Sequence, residues 1–166
     1  MVSLKTHKEI EMIRIAGQIV KGVIQKLKSF VVPNKTTQDI DDYVAELIAQ
    51  EEATSAFKGY RGFPANICVS INEEVVHGIP SEKRINWGDI VSLDFGISYK
   101  GYFADAAITL PIGEIKPSVS KLIRVTQESL WRGIIVLSLG WLQARLIAAS
   151  RYPLRSRLGQ VSLPIR

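Results

Sequence analysis

Apolar positions along the chain recur at two spacings, one helical and one alternating. Ile10, Ile13, Ala16 or Gly17, Val20, Val23 or Ile24 and Leu27 follow a period near 3.6. Thr6-His7-Lys8-Glu9 precedes them as a capping box, in which the threonine hydroxyl and the glutamate carboxylate satisfy free N–H groups. This predicts a helix from about His7 to Ser29, with His7 on its surface. Val31-Val32-Pro33-Asn34 ends it, because proline cannot continue a helix and asparagine tolerates a turn. Thr36-Thr37-Gln38-Asp39 caps a second helix striped by Ile40, Tyr43 or Val44, Leu47 and Ile48, which should stop near Glu51 or Glu52.

The pattern then changes. Ile67-Cys68-Val69-Ser70-Ile71 reads as a strand, Asn72-Glu73-Glu74 as a turn and Val75-Val76 as the returning strand. Ile90 to Phe95 and Tyr102 to Leu110 read as a β-hairpin, with Gly96 and Lys100-Gly101 supplying its turn. Pro111-Ile112-Gly113 and Lys116-Pro117 mark a loop, and Ser118 to about Leu130 is a third helix.

Two hairpin residues are out of character. Asp94 and Asp105 sit inside strands of otherwise apolar residues, and aspartate is a poor strand former. A turn centred near Tyr99-Lys100 places them opposite each other on one face, with Cβ atoms roughly 5 Å apart. Like charges that close repel, so one is protonated, a cation lies between them, or both are solvated. A divalent metal would be that cation, whereas a register shift of one residue would put the two on opposite faces. Phe57-Lys58-Gly59-Tyr60-Arg61-Gly62-Phe63-Pro64 alternates glycine with aromatics. It is either a plain loop with aromatic anchors or a ligand wall formed by Tyr60 and Phe63. His77-Gly78-Ile79-Pro80 holds a histidine in a rigid bend, as a structural residue, a donor to substrate or a metal ligand.

Composition narrows the partners. At 166 residues and 46% hydrophobic, the chain can bury one real core. No apolar run is long enough for a bilayer, and the start lacks a signal-peptide segment. The single Cys68 excludes an internal disulfide and fits a cytoplasmic location. The net charge of +5 comes from the end of the chain. After Glu128 there is no acid and there are six arginines, which leaves 15 basic against 16 acidic groups in residues 1–128. The body is therefore neutral and presents no specific nucleic-acid face.

Four stretches in order, Gly59-Tyr60-Arg61-Gly62-Phe63-Pro64, Ser70-Ile71-Asn72-Glu73, His77-Gly78-Ile79-Pro80 and Gly88-Asp89-Ile90-Val91-Ser92-Leu93-Asp94 with Asp105 eleven residues on, resemble the type I methionine aminopeptidases. The resemblance covers residues 3 to about 133. It implies an α/β (α+β) fold, the N-terminal half of a pita-bread architecture with a curved antiparallel sheet and covering helices. It also implies a cytoplasmic dinuclear metallo-exopeptidase that removes the initiator methionine from nascent polypeptides in which a small residue follows. Two divalent ions (Co, Mn, Fe or Zn) are implied, with Asp94 binding one and Asp105 bridging both. His77 is implied to contact substrate, and Tyr60, Phe63 and Cys68 to line the methionine pocket. Ribosome contact is an expected partner interaction, and a membrane is not. The wording of the motifs argues against a proline-specific relative.

The resemblance also exposes what this sequence lacks. The family draws one histidine and two glutamates for its metals, and a further histidine and glutamate for catalysis, from its C-terminal half. Here His7 and His77 are the only histidines, and no Gly-His-Gly-Ile-Gly occurs. The expectation is a truncated or frame-shifted ending after about residue 133, with 134–166 an Arg-rich tail of little regular structure. The chain would be inactive alone, with no certain catalytic residue and with an open sheet edge. The alternative is a non-catalytic peptide- or ribosome-binding module with a basic tail.

Overall fold

A computed structural model describes residues 4–138. The chain divides after Ile115 into two units, and each is described by itself.

The first unit opens with α1 (His7–Phe30) and α2 (Thr37–Gln50), both closed by complete capping boxes. Thr6 accepts from the Glu9 N–H while Glu9 accepts from the Thr6 N–H at 2.7 Å, and Thr36 and Asp39 repeat the arrangement. The apolar stripes predicted from spacing are the buried faces: Ala16, Val20, Val23 and Leu27 on α1, and Ile40, Val44, Leu47 and Ile48 on α2. His7 is exposed, as expected of a first-turn surface residue.

The strands are β1 (Thr54–Ser55), β2 (Cys68–Ile71), β3 (Ile90–Tyr99) and β4 (Tyr102–Pro111), all antiparallel. β3 is the centre, with β1 and β2 along one side and β4 along the other. Alternation along β3 buries Val91, Leu93, Phe95 and Ile97 against the helices. Each such side chain contributes about 1.5–3 kcal/mol. The opposite face carries Ser92, Asp94 and Ser98. Lys100 and Gly101, at φ 49° and 82°, form the two-residue hairpin turn, where positive φ at both positions matches the twist of the strands.

Three expectations are corrected. Gly96 lies within β3 and takes no part in the turn. The predicted strand at 67 begins at Cys68, because the Ile67 N–H is taken by Asp41 at 3.2 Å. Val75 and Val76 do not return as a strand; they are exposed, at 85% and 63%. The reason is local: the Glu74 carboxylate takes the Ile71 N–H at 2.8 Å, and the Gly78 carbonyl takes the Val69 N–H at 2.9 Å. The bonds a return strand would have used are filled.

The second unit contains α3 (Pro117–Ser138), with proline at its first position, where no N–H is needed. It carries an Arg124–Glu128 ion pair at 3.2 Å. It runs past the expected end near Leu130 and past residue 133; the rest of the expected tail, 139–166, lies outside the described residues. No helix among the described residues is long and apolar enough to cross a membrane.

Candidate functional site

The polar face of the sheet can be built from its register. Across β2, β3 and β4, Cys68 pairs with Asp94 and Asp94 with Ala107, so these three form one row on one face. In the next row Gly96 pairs with Asp105. Asp94 and Asp105 therefore share a face, but they are diagonal neighbours rather than directly opposite. The expected facing pair is corrected: the turn centres between Lys100 and Gly101, so the register differs by two residues, which moves the partner without turning it over. Diagonal residues lie about 7–8 Å apart at Cα, within reach of a shared cation.

The electrostatics agree with this placement. Partial burial raises the pKa of Asp94, the Asp105 charge raises it further, and His77 opposes both. Burial, then Asp94 and Asp105, push the Cys68 thiol up to about 11 from an ordinary 9.0. Two like charges on one face, Asp94 half-buried and Asp105 exposed, with no hydrogen-bond donor to either among the described residues, are what a cation relieves.

Below the ordinary thiol pKa, this shift leaves roughly one hundredth of the usual thiolate, and only thiolate attacks disulfides. Cys68 is therefore expected to react with a disulfide reagent at least about a hundredfold more slowly than an exposed peptide cysteine. The absorbance progress curve at constant pH in EDTA measures this.

His77 is exposed and sits at φ 60°. Its neighbour holds it there. The Gly78 N–H donates to Ser70 Oγ at 3.1 Å and its carbonyl accepts from Val69. A Cβ built on Gly78 would overlap the Val69 carbonyl, so glycine is required by close approach to β2. Ser70 is buried on the same polar face as Asp94.

The aromatic loop forms a single 3-10 turn, Tyr60–Gly62, entered through Gly59 at φ 85°. Tyr60 is 63% exposed, with the Arg61 guanidinium 5.4 Å from its ring centre. Phe63 is half-buried and meets Phe57 edge-to-face, at 6.4 Å and 85°. Phe57 was not singled out from the sequence. It reaches the site because Gly96, beside Asp105, has no side chain: an added Cβ would lie 2.9 Å from the Phe57 ring. The loop is tied down at its far end by Asp41, buried on α2, which accepts from the Asn66 N–H at 2.6 Å, the Asn66 amide at 3.1 Å and the Ile67 N–H. A lone aspartate in a helical stripe gave no signal of this, because its partners are 25 and 26 residues away.

Asp94 and Asp105 suit a divalent cation by chemistry, as hard oxygen donors on one face. They fit as part of a ligand set only. Among the described residues, no cluster of three or more His, Cys, Asp or Glu side chains could hold a metal ion.

The family model for metallopeptidase family M24 matches residues 11–156. The chain belongs to metallopeptidase family M24. Membership implies divalent metal ions. The M24 chain is 47% identical over 135 residues to the methionine aminopeptidase of Clostridium acetobutylicum, covering 81% of this chain and 54% of that protein. Methionine aminopeptidase 1 of Bacillus subtilis is 42% identical over 134 residues, with coverage of 81% and 54%. Among solved structures, methionine aminopeptidase from Thermotoga maritima superposes with a TM-score of 0.78 at 41% identity, over 81% of this chain and 54% of that one. The α/β pita-bread expectation is borne out: an antiparallel sheet with covering helices is the part of that M24 fold present here. The chain spans about half the length of the relatives it matches.

Proposed function

We propose that the chain carries the N-terminal half-site of a methionine aminopeptidase. In this reading Asp94 and Asp105 are metal ligands and His77 contacts the substrate. Tyr60, Phe63 and Cys68, with Phe57 behind them, line an apolar pocket for the methionine side chain. The substrates are nascent polypeptide N-termini in the cytoplasm, methionine followed by a small residue. The bound metals, two of Co, Mn, Fe or Zn in the intact site, would polarise the scissile carbonyl and activate water. The chain's own residues form the pocket wall and place an imidazole beside it. The observation that carries the reading is the register that puts both aspartates, Cys68 and Gly96 on one polar face.

The same reading makes the chain inactive alone, because two carboxylates do not fill a coordination sphere. Purified protein with Mn²⁺ or Co²⁺ is expected to leave a Met-Gly-Met peptide uncleaved; turnover would overturn that claim. The metal assignment has its own test in Asp94→Asn. The native pKa of Asp94 is raised, so ionised Asp94 weakens the metal-free fold above that pKa and has no effect below the unfolded carboxylate value. In EDTA at neutral pH the variant should melt above the unsubstituted protein, with the gain vanishing in acid. In excess Mn²⁺ the order should reverse, because only the carboxylate gains from the ion. An unchanged order in Mn²⁺ would remove Asp94 from the ligand set.

A further inference from the structure

The segment after β2 leaves the sheet in an ordered way. The Val69 N–H bonds the Gly78 carbonyl at 2.9 Å, as in one rung of an antiparallel ladder. Continued in register, that ladder would put the Val76 carbonyl on the Ile71 N–H and His77 opposite Ser70. Neither pairing forms. Glu74 meets both outward groups of Ile71 instead. Its Oε2 accepts from the Ile71 N–H at 2.8 Å, and its own N–H donates to the Ile71 carbonyl at 3.2 Å. The Gly78 N–H, which a regular rung would give to the Val69 carbonyl, goes to Ser70 Oγ at 3.1 Å. Two side chains thus stand in for backbone partners, and residues 75–77 between them are released from the sheet.

We propose that Glu74 is a positioning residue for His77: by occupying the rung that Val76 would take, it keeps the histidine in a turn instead of a strand. This rests on the reading of His77 as a substrate contact. Apolar packing does not hold the loop, since Val75 and Val76 are both exposed. His77 sits at φ 60°, a conformation that costs a side chain with a Cβ and persists only where its surroundings enforce it. Asn72, at φ 57°, fixes the near end: its N–H donates to the Ile90 carbonyl and its Oδ1 accepts from the Ile90 N–H, both at 3.0 Å. Gly78 fixes the far end.

Glu74 ties the stretch between them to a third point. Its Oε1 accepts from Lys83 Nζ at 2.8 Å, and the Lys83 carbonyl accepts from the Thr37 N–H at the start of α2. Lys83, then the Ile71 N–H, hold the Glu74 carboxyl below its ordinary value, since both contacts favour the charged form. An ion pair this exposed adds little to global stability. Its effect is on the choice between two local arrangements. With the Ile71 groups taken, the strand that β-branched Val75 and Val76 favour is excluded. With them free, Val76 can pair there, the ladder closes and His77 becomes an ordinary strand residue opposite Ser70.

NMR on the full chain and on its Glu74→Ala and Glu74→Gln variants, each checked for folding by circular dichroism, tests this. In the parent, His77 should show the short intraresidue HN–Hα distance of a positive φ. Glu74→Ala should lose that signature and gain amide protection at Val76. Glu74→Gln keeps an oxygen for the Ile71 N–H and should keep the parent signature. Met-Gly-Met peptide should shift the His77 ring resonances in the parent and in Glu74→Gln, and severalfold less in Glu74→Ala. A His77 signature unchanged in Glu74→Ala would overturn the proposal. Equal loss in both variants would overturn it too, by assigning the effect to the Lys83 ion pair and not to the occupied rung. A peptide that moves His77 equally in the parent and in Glu74→Ala would overturn the positioning role and leave the substrate reading standing. A peptide that leaves the parent His77 unmoved would end the substrate reading and the role with it, while the loss of the turn in Glu74→Ala would still show that Glu74 sets the loop.

Discussion

Asp41→Ala is expected to lower the stability of this protein by about 3–5 kcal/mol, although the residue lies far from either site aspartate in the chain. The Asp41 carboxylate is buried and accepts three hydrogen bonds, from two backbone N–H groups and one side-chain amide. Alanine leaves all three donors facing a cavity. Each unsatisfied buried donor loses about 1–3 kcal/mol. The effect should be directional as well as large. The freed segment, Asn66 and Ile67, leads straight into Cys68, whose row contains Asp94. Urea melts measure the loss, and hydrogen exchange should show the amides of residues 66–68 opening before those of β3. Asp41→Asn keeps an acceptor and should lose less. A variant within about 0.5 kcal/mol of the parent, the range of ordinary surface substitutions, would show that the clamp does not form.

The second large effect is at Gly78. Gly78→Ala puts a methyl group into the Val69 carbonyl, and the atoms it meets are backbone of Val69 and Ser70, which no side-chain adjustment can move. The segment must lift off β2 and lose both the bond from Val69 and the bond to Ser70. The combined strain and lost bonds are expected to come to about 2–4 kcal/mol. The functional consequence is more specific. His77, at φ 60°, is held in that conformation by its neighbour, so lifting Gly78 should move the imidazole away from Asp94. The His77 ring protons, assigned by comparison with a His7→Gln variant, give a direct NMR readout. Loss of stability with an unmoved His77 resonance would disprove the coupling between the glycine and the histidine.

Much of the architecture could be read from the chain. Helix ends were written by Thr6 with Glu9 and Thr36 with Asp39, because capping is a contact between residues three apart. The hairpin was written by Lys100-Gly101 and by alternation on either side. Its register was not: the apolar pattern fixes which face a residue takes, and a two-residue change preserves every face while moving each partner. That is why the same-face placement of Asp94 and Asp105 held and their direct opposition did not. Val75 and Val76 misled for the opposite reason. Their β-branched side chains suggest a strand, but the Glu74 carboxylate and the Gly78 carbonyl occupy the ladder first.

The sequence by itself determined what can be settled by neighbours: the caps, the periodic faces, the two-residue turn, and a family kinship carried by short motifs. It also determined the donors available, with two histidines and no acid beyond Glu128. Only the tertiary structure decided which distant residues meet. It brought Asp41 to Asn66, Phe57 over the bare face of Gly96, and Gly78 against Val69. It also filled the outward N–H groups of Val69 and Ile71 on β2. Contacts between positions far apart in the chain depend on how whole elements pack, and no local pattern of side chains encodes that distance.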